Sequence, residues 1–116
     1  MAYSKKETYR TENARKSNSK RFPNGYLYIL AIKEHDLYKV GVSQKPKRRI
    51  RDIKGVLPYD SEVIFLRHYK NVYNLEKLVH KTLSINQKKK EWFQLHEEDV
   101  NGLKKILEEI FLNENK

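Results

Sequence analysis

Two adjacent apolar runs, GYLYILAI and LYKVGVS, place residues of chemical use where a strand usually carries only packing residues. Tyr28 brings an ionisable phenol, Lys39 an ammonium and Gly41 an absent side chain within residues 25–43. Glycine weakens a strand unless another backbone or a ligand must come close. Eight residues after Gly41 stands Arg49, whose planar fork of donors suits phosphate oxygens. Further on, Glu76 and His80 are spaced by four, so a helix sets them on one face. Phenol, ammonium, guanidinium and carboxylate together form a set suited to receiving a phosphate.

The composition agrees with an anionic partner. The chain has 116 residues, 25 Lys+Arg against 15 Asp+Glu, and a formal net charge of +10. That balance on a chain of single-domain length favours a polyanion: nucleic acid first, an anionic membrane surface second. There is no cysteine, which excludes disulfides and thiolate metal sites and fits a reducing cytoplasm. No apolar stretch nears the ~20 residues that span a bilayer, and the N-terminus lacks the apolar middle of a signal peptide. The expected location is the cytoplasm of a bacterial or phage-infected cell.

These groups need elements to position them. Residues 1–22 are basic and poor in apolar side chains, so they read as a flexible arm lying along phosphates or in solvent, with Lys20 and Arg21 nearest the fold. Pro23-Asn24-Gly25 is a turn signal that opens a single domain over 23–116. Residues 26–33 read as a strand, 34–36 as a hairpin loop and 37–43 as the return strand. Pro46 suits the first turn of a helix over 46–55, ended by Gly55, with Ile50 and Ile53 as its apolar stripe. Residues 61–70 read as a third strand. Asn74 is the expected cap of a helix to about Ile85, with Leu75, Leu78 and Val79 on its apolar side. A short strand over 91–95, with Trp92 and Phe93 as core, and a helix over 97–112 complete the order ββαβαβα. Val100, Leu103, Ile106, Leu107, Ile110 and Phe111 are its expected core face. The class is α+β: a small mixed or antiparallel sheet, opened by a hairpin and covered by helices.

Taken in order, these pieces resemble the GIY-YIG nuclease domain. Tyr26-Leu27-Tyr28 matches the first motif and Lys39-Val40-Gly41 the second, with Tyr26 and Gly41 as its structural members. The arginine of the next helix falls on Arg49 and the later glutamate on Glu76. The chain looks closest to the phage-associated branch. YKVGVS, PKRRI, Glu76 with His80, and Glu91-Trp92-Phe93-Gln94-Leu95 follow that branch's succession across residues 25–95. Lys39 stands where the broader family has its second tyrosine, a trait the branch shares. Tyr38, one residue earlier, belongs on the opposite face.

The resemblance implies a metal-dependent endonuclease that hydrolyses phosphodiester bonds in DNA. Tyr28 would be the base, with Lys39 lowering its pKa from about 10 by favouring phenolate. Arg49 would hold the phosphate. Glu76 would bind one Mg2+ (or Mn2+), whose shell water and phosphate complete, and His80 would orient water or serve the leaving group. Lys47, Arg48 and Arg51 would grip the DNA backbone, together with Lys20 and Arg21 of the arm. The alternative is a GIY-YIG-fold module that binds nucleic acid without cutting it. So short a chain implies little base readout of its own, so a homodimer or a partner protein would supply specificity.

Overall fold

GYLYILAI becomes the central strand because it is apolar on both faces. In the computed structural model, which describes residues 23–116, this strand, β1 (Gly25–Ile32), is buried along nearly its whole length. Leu27, Ile29 and Ala31 face the main core, while Tyr28 and Leu30 face a second, smaller cluster. A strand covered on both sides reads as a continuous apolar run rather than an alternation.

A tight turn at Lys33–His35, closed by Asp36 in the left-handed conformation (φ 52°), leads into β2 (Leu37–Ser43). Then come α1 (Pro46–Val56), β3 (Glu62–Tyr69), α2 (Val72–Thr82), β4 (Gln87–Lys89), β5 (Trp92–Gln94) and α3 (Glu97–Glu114). The five strands form one antiparallel sheet in the order β3-β1-β2-β5-β4. The protein is thus an α+β fold, with an antiparallel sheet and three helices among the described residues.

The two faces are covered differently. Ile50 and Ile53 of α1 pack on Tyr28 and Leu30. Val72 and Val79 of α2 and Val100 and Leu107 of α3 pack on the other face, against Leu27, Ile29, Val40 and Phe93. A buried hydrogen bond from the Tyr69 hydroxyl to the Leu107 carbonyl, 2.6 Å, fastens β3 to α3.

Several local expectations change. The single strand expected over 91–95 is the second strand of a hairpin, because residues 87–89 add an edge strand to residues 92–94. Helix α2 starts at Val72, ahead of Asn74. The Asn71 N–H donates to the Asn24 side chain (3.2 Å) and the Val72 N–H to the Pro23 carbonyl (2.9 Å). The chain entering β1 therefore satisfies amide donors at a helix start that lies two residues ahead of the expected cap. Gly55 lies within the last turn of α1, which runs on to Val56. Leu78 and Ile106 share helical spacing with core residues yet are 60% and 57% exposed, so each apolar stripe is narrower than its spacing suggests. The segment 1–22, with Lys20 and Arg21, lies outside the described residues.

Candidate active site

Pairing register assembles the first part of the site. Tyr28 lies opposite Gly41, and Leu30 opposite Lys39. Side chains directly opposed on paired strands share a face, so Tyr28, Lys39 and Gly41 all point to the α1 side. Lys39 also pairs with Trp92 of β5, which brings the indole to that face. Tyr38 points the other way, into the main core.

The Tyr28 ring lies across Gly41. A Cβ at Gly41 would fall 2.5 Å from the phenol oxygen and 2.6 Å from the ring carbon that bears it. Glycine is needed here because an aromatic side chain passes over the strand. Arg49 is carried on α1 beside the buried Ile50, and its guanidinium hydrogen-bonds the Tyr28 hydroxyl.

Electrostatics around the phenol differ from expectation. Burial, with Tyr28 only 1% exposed, pushes its pKa up to about 12, and the Glu91 carboxylate adds to the rise. Arg49 opposes both through its charge and its hydrogen bond, and Glu76 adds a smaller upward push. Lys39, expected to draw the phenol down, has its ammonium 2.7 Å from the Glu91 carboxylate and 5.7 Å from the Trp92 ring centre. A lysine neutralised by its own counter-ion has little net charge left to offer a neighbouring phenol, so the balance on Tyr28 is upward.

Helix α2 brings the remaining groups to β2. Glu76 lies between Val72 and Val79 on the inward face, is 6% exposed, and is close enough to Tyr28 to act on its ionisation. His80, one turn later, places Nε2 2.8 Å from the Val40 carbonyl, and its ring meets Phe93 edge-on. A carbonyl only accepts, so Nε2 is the donor and Nδ1 is left as acceptor. His80 thus braces β2 one residue from Gly41, and any role in proton transfer passes through Nδ1.

Tyr28, Arg49 and Gly41 therefore come together, Glu91 and Glu76 act on the phenol through their charge, and Lys39 is tied to Glu91. Lys47, Arg48 and Arg51 stand exposed on α1. Tyr26 packs edge-on against His68 and serves the sheet. Glu91 is the residue that sequence reasoning missed as part of this group. Its signal was an acidic residue opening the aromatic strand that lies in register with Lys39.

Among the described residues no three His, Cys, Asp or Glu side chains cluster closely enough to enclose a metal ion. Glu76 offers one carboxylate, where a cation of the Mg2+ type takes one or two and fills its octahedron with water and phosphate oxygens, and at 6% exposed it is open to that shell only on one narrow side. No helix among the described residues is long and apolar enough to cross a membrane. In comparison with known families, residues 25–110 match the T5orf172 domain. No curated protein and no solved structure matches the chain.

Proposed function

The chain belongs to the T5orf172 domain family, a phage-associated, nuclease-like family, and from that premise we propose that it is a metal-dependent endonuclease of the GIY-YIG type acting on DNA. One observation carries this reading. A buried phenol crosses a strand at a glycine that admits no side chain, and there it meets a guanidinium from α1 while a carboxylate from α2 acts on it. Packing alone does not require three ionisable groups from three elements at one point.

In this reading Arg49 binds a non-bridging phosphate oxygen and keeps the phosphorus in line with the attacking water. Tyr28, once its own proton has passed to solvent, holds that water through its phenolate oxygen and takes the water's proton as the bond to phosphorus forms. Lys39, released in part from Glu91, meets the charge gathering on the phosphate. Glu76 would hold the cation, which supplies Lewis acidity and a more acidic bound water. With a cation on Glu76, that carboxylate no longer raises the phenol, while Arg49 continues to lower it. The departing deoxyribose oxygen takes its proton from solvent. Lys47, Arg48 and Arg51 hold flanking phosphates, and sequence choice comes from a second copy or a partner protein.

The second reading is a nucleic-acid-binding module without catalysis. It is favoured by the burial of Glu76 and by a phenol at about 12, since both oppose the ion and the base. Incubation with supercoiled plasmid and single-stranded DNA, in Mg2+, Mn2+ or chelator, separates the two. Cleavage that needs metal and is lost in Glu76→Ala and Arg49→Ala supports the nuclease. Tight binding without cleavage supports the module. Cleavage by both variants at the parent rate would overturn the residue assignments.

A further inference from the structure

The hairpin of β4 and β5 borders β2 on the edge away from β1 and carries three consecutive lysines. Lys88, Lys89 and Lys90 are all exposed. Glu91, next in the chain, is anchored to β2 twice: its carboxylate by the Lys39 ammonium at 2.7 Å, and its carbonyl by the Val40 N–H at 3.2 Å. Both members of that ion pair are largely buried, so the turn is held next to the strand that carries Gly41. The sheet order sets β2 between β1, whose Tyr28 face α1 covers, and β5. The phenol is thus reached by Arg49 from one side and sensed by Glu91 from the other.

Charge elsewhere is arranged differently. Helix α3, packed on the far face of the sheet, carries Glu97, Glu98, Asp99, Glu108 and Glu109 against Lys104 and Lys105. Helix α1 and the β4–β5 turn are thus net positive where α3 is net negative. Lys90 adds an independent sign. It adopts the left-handed conformation, φ 54°, which glycine or asparagine takes more readily than lysine does.

We propose that the Lys88–Lys90 turn is a second phosphate-binding wall of the cleft, gripping the nucleic-acid backbone across the Tyr28 site from Lys47, Arg48 and Arg51. The inference rests on the nucleic-acid reading above and adds to it where the strand lies. Two walls holding one backbone fix the phosphodiester between them over the phenol, whereas α1 alone would leave the strand free to swing.

The test is fluorescence anisotropy of the full chain with labelled duplex and single-stranded oligonucleotides over a salt series, without divalent metal. Each lost phosphate contact flattens the dependence of log K on log salt by about 0.9 for duplex and about 0.7 for single strands. Lys88→Gln/Lys89→Gln/Lys90→Gln should flatten the duplex slope by roughly 2 to 3. Lys90→Asn should flatten it by about 1 while unfolding no earlier than the parent, because asparagine tolerates the left-handed backbone. Lys104→Gln/Lys105→Gln on α3 should leave the slope unchanged. If the parent binds and neither turn variant alters its slope, the second wall is refuted and the nucleic-acid reading stands. If the parent binds neither form, both fall together. Should the triple variant unfold early, Lys90→Asn decides alone.

Discussion

Tyr28 and Gly41 depend on one another at the level of single atoms. Gly41→Ala adds a carbon where the phenol already lies, so the ring must leave its place over β2. The expected outcome is a loss of about 1–3 kcal/mol in chemical denaturation, typical of overpacking, with loss of any cleavage. Tyr28→Phe in the Gly41→Ala background should not restore stability, because the ring carbon clashes as well as the oxygen. The phenol's ionisation offers a second check. Its folded pKa, about 12, lies above the ordinary tyrosine value of 10.0, so the folded state keeps a proton that the unfolded chain releases first. Its contribution is complete below pH 10 and is lost as pH rises toward 12, about 3 kcal/mol at ~1.4 kcal/mol per unit. Tyr28→Phe should therefore flatten the alkaline fall in stability and remove one late-titrating phenolate from the ultraviolet titration. An early, surface-like titration of Tyr28 would contradict its burial against β2.

At the scale of elements, the Lys39–Glu91 pair joins β2 to the β4–β5 hairpin. Removing one member strands a buried charge, whereas removing both leaves only a packing problem. Glu91→Ala should cost roughly 3–5 kcal/mol, and Lys39→Met with Glu91→Leu clearly less, a difference a double-mutant cycle in denaturant would measure. Additive costs would mean that the two charges do not depend on each other. Between β3 and α3 the tie is neutral. Tyr69→Phe should cost about 1 kcal/mol, the usual worth of one net hydrogen bond, without affecting DNA binding on the opposite face.

Across the whole molecule, charge is unevenly divided. Exposed cations line α1 and the β4–β5 turn, while acidic side chains dominate α3. A protein that holds DNA by phosphates releases counter-ions, so affinity should fall steeply and linearly on a log–log plot against salt. Binding that ignores salt would argue for base or apolar contacts and against this division of roles. Opposite charge on the two sides also orients the encounter, since a polyanion is drawn to one and repelled by the other.

Much of this was open to reading in one dimension. Strand β1 announces itself by a run of eight residues, GYLYILAI, that no helix stripe explains. Period-two alternation then put Lys39 and Gly41 on one face, opposite to Tyr38, and the spacing after Pro46 put Arg49 beside the buried Ile50. These depend on local geometry, which repeats along a chain with a fixed period. The true start of α2 and the solvent exposure of Leu78 and Ile106 were not legible, because each depends on a segment distant in sequence, and β4 was hidden because its three residues, QKK, are polar and carry no apolar alternation. The same holds for the electrostatics. Lysine and tyrosine on adjacent strands suggest a lowered phenol, but Glu91, 52 positions from Lys39, neutralises the lysine, and burial raises the phenol instead. Sequence alone determined which groups could share a face, since a side chain's direction follows from its place in a strand or helix. Only the tertiary structure decided which charges meet and how dry their meeting place is, since Coulomb energy and desolvation depend on distances and burial that no local period encodes.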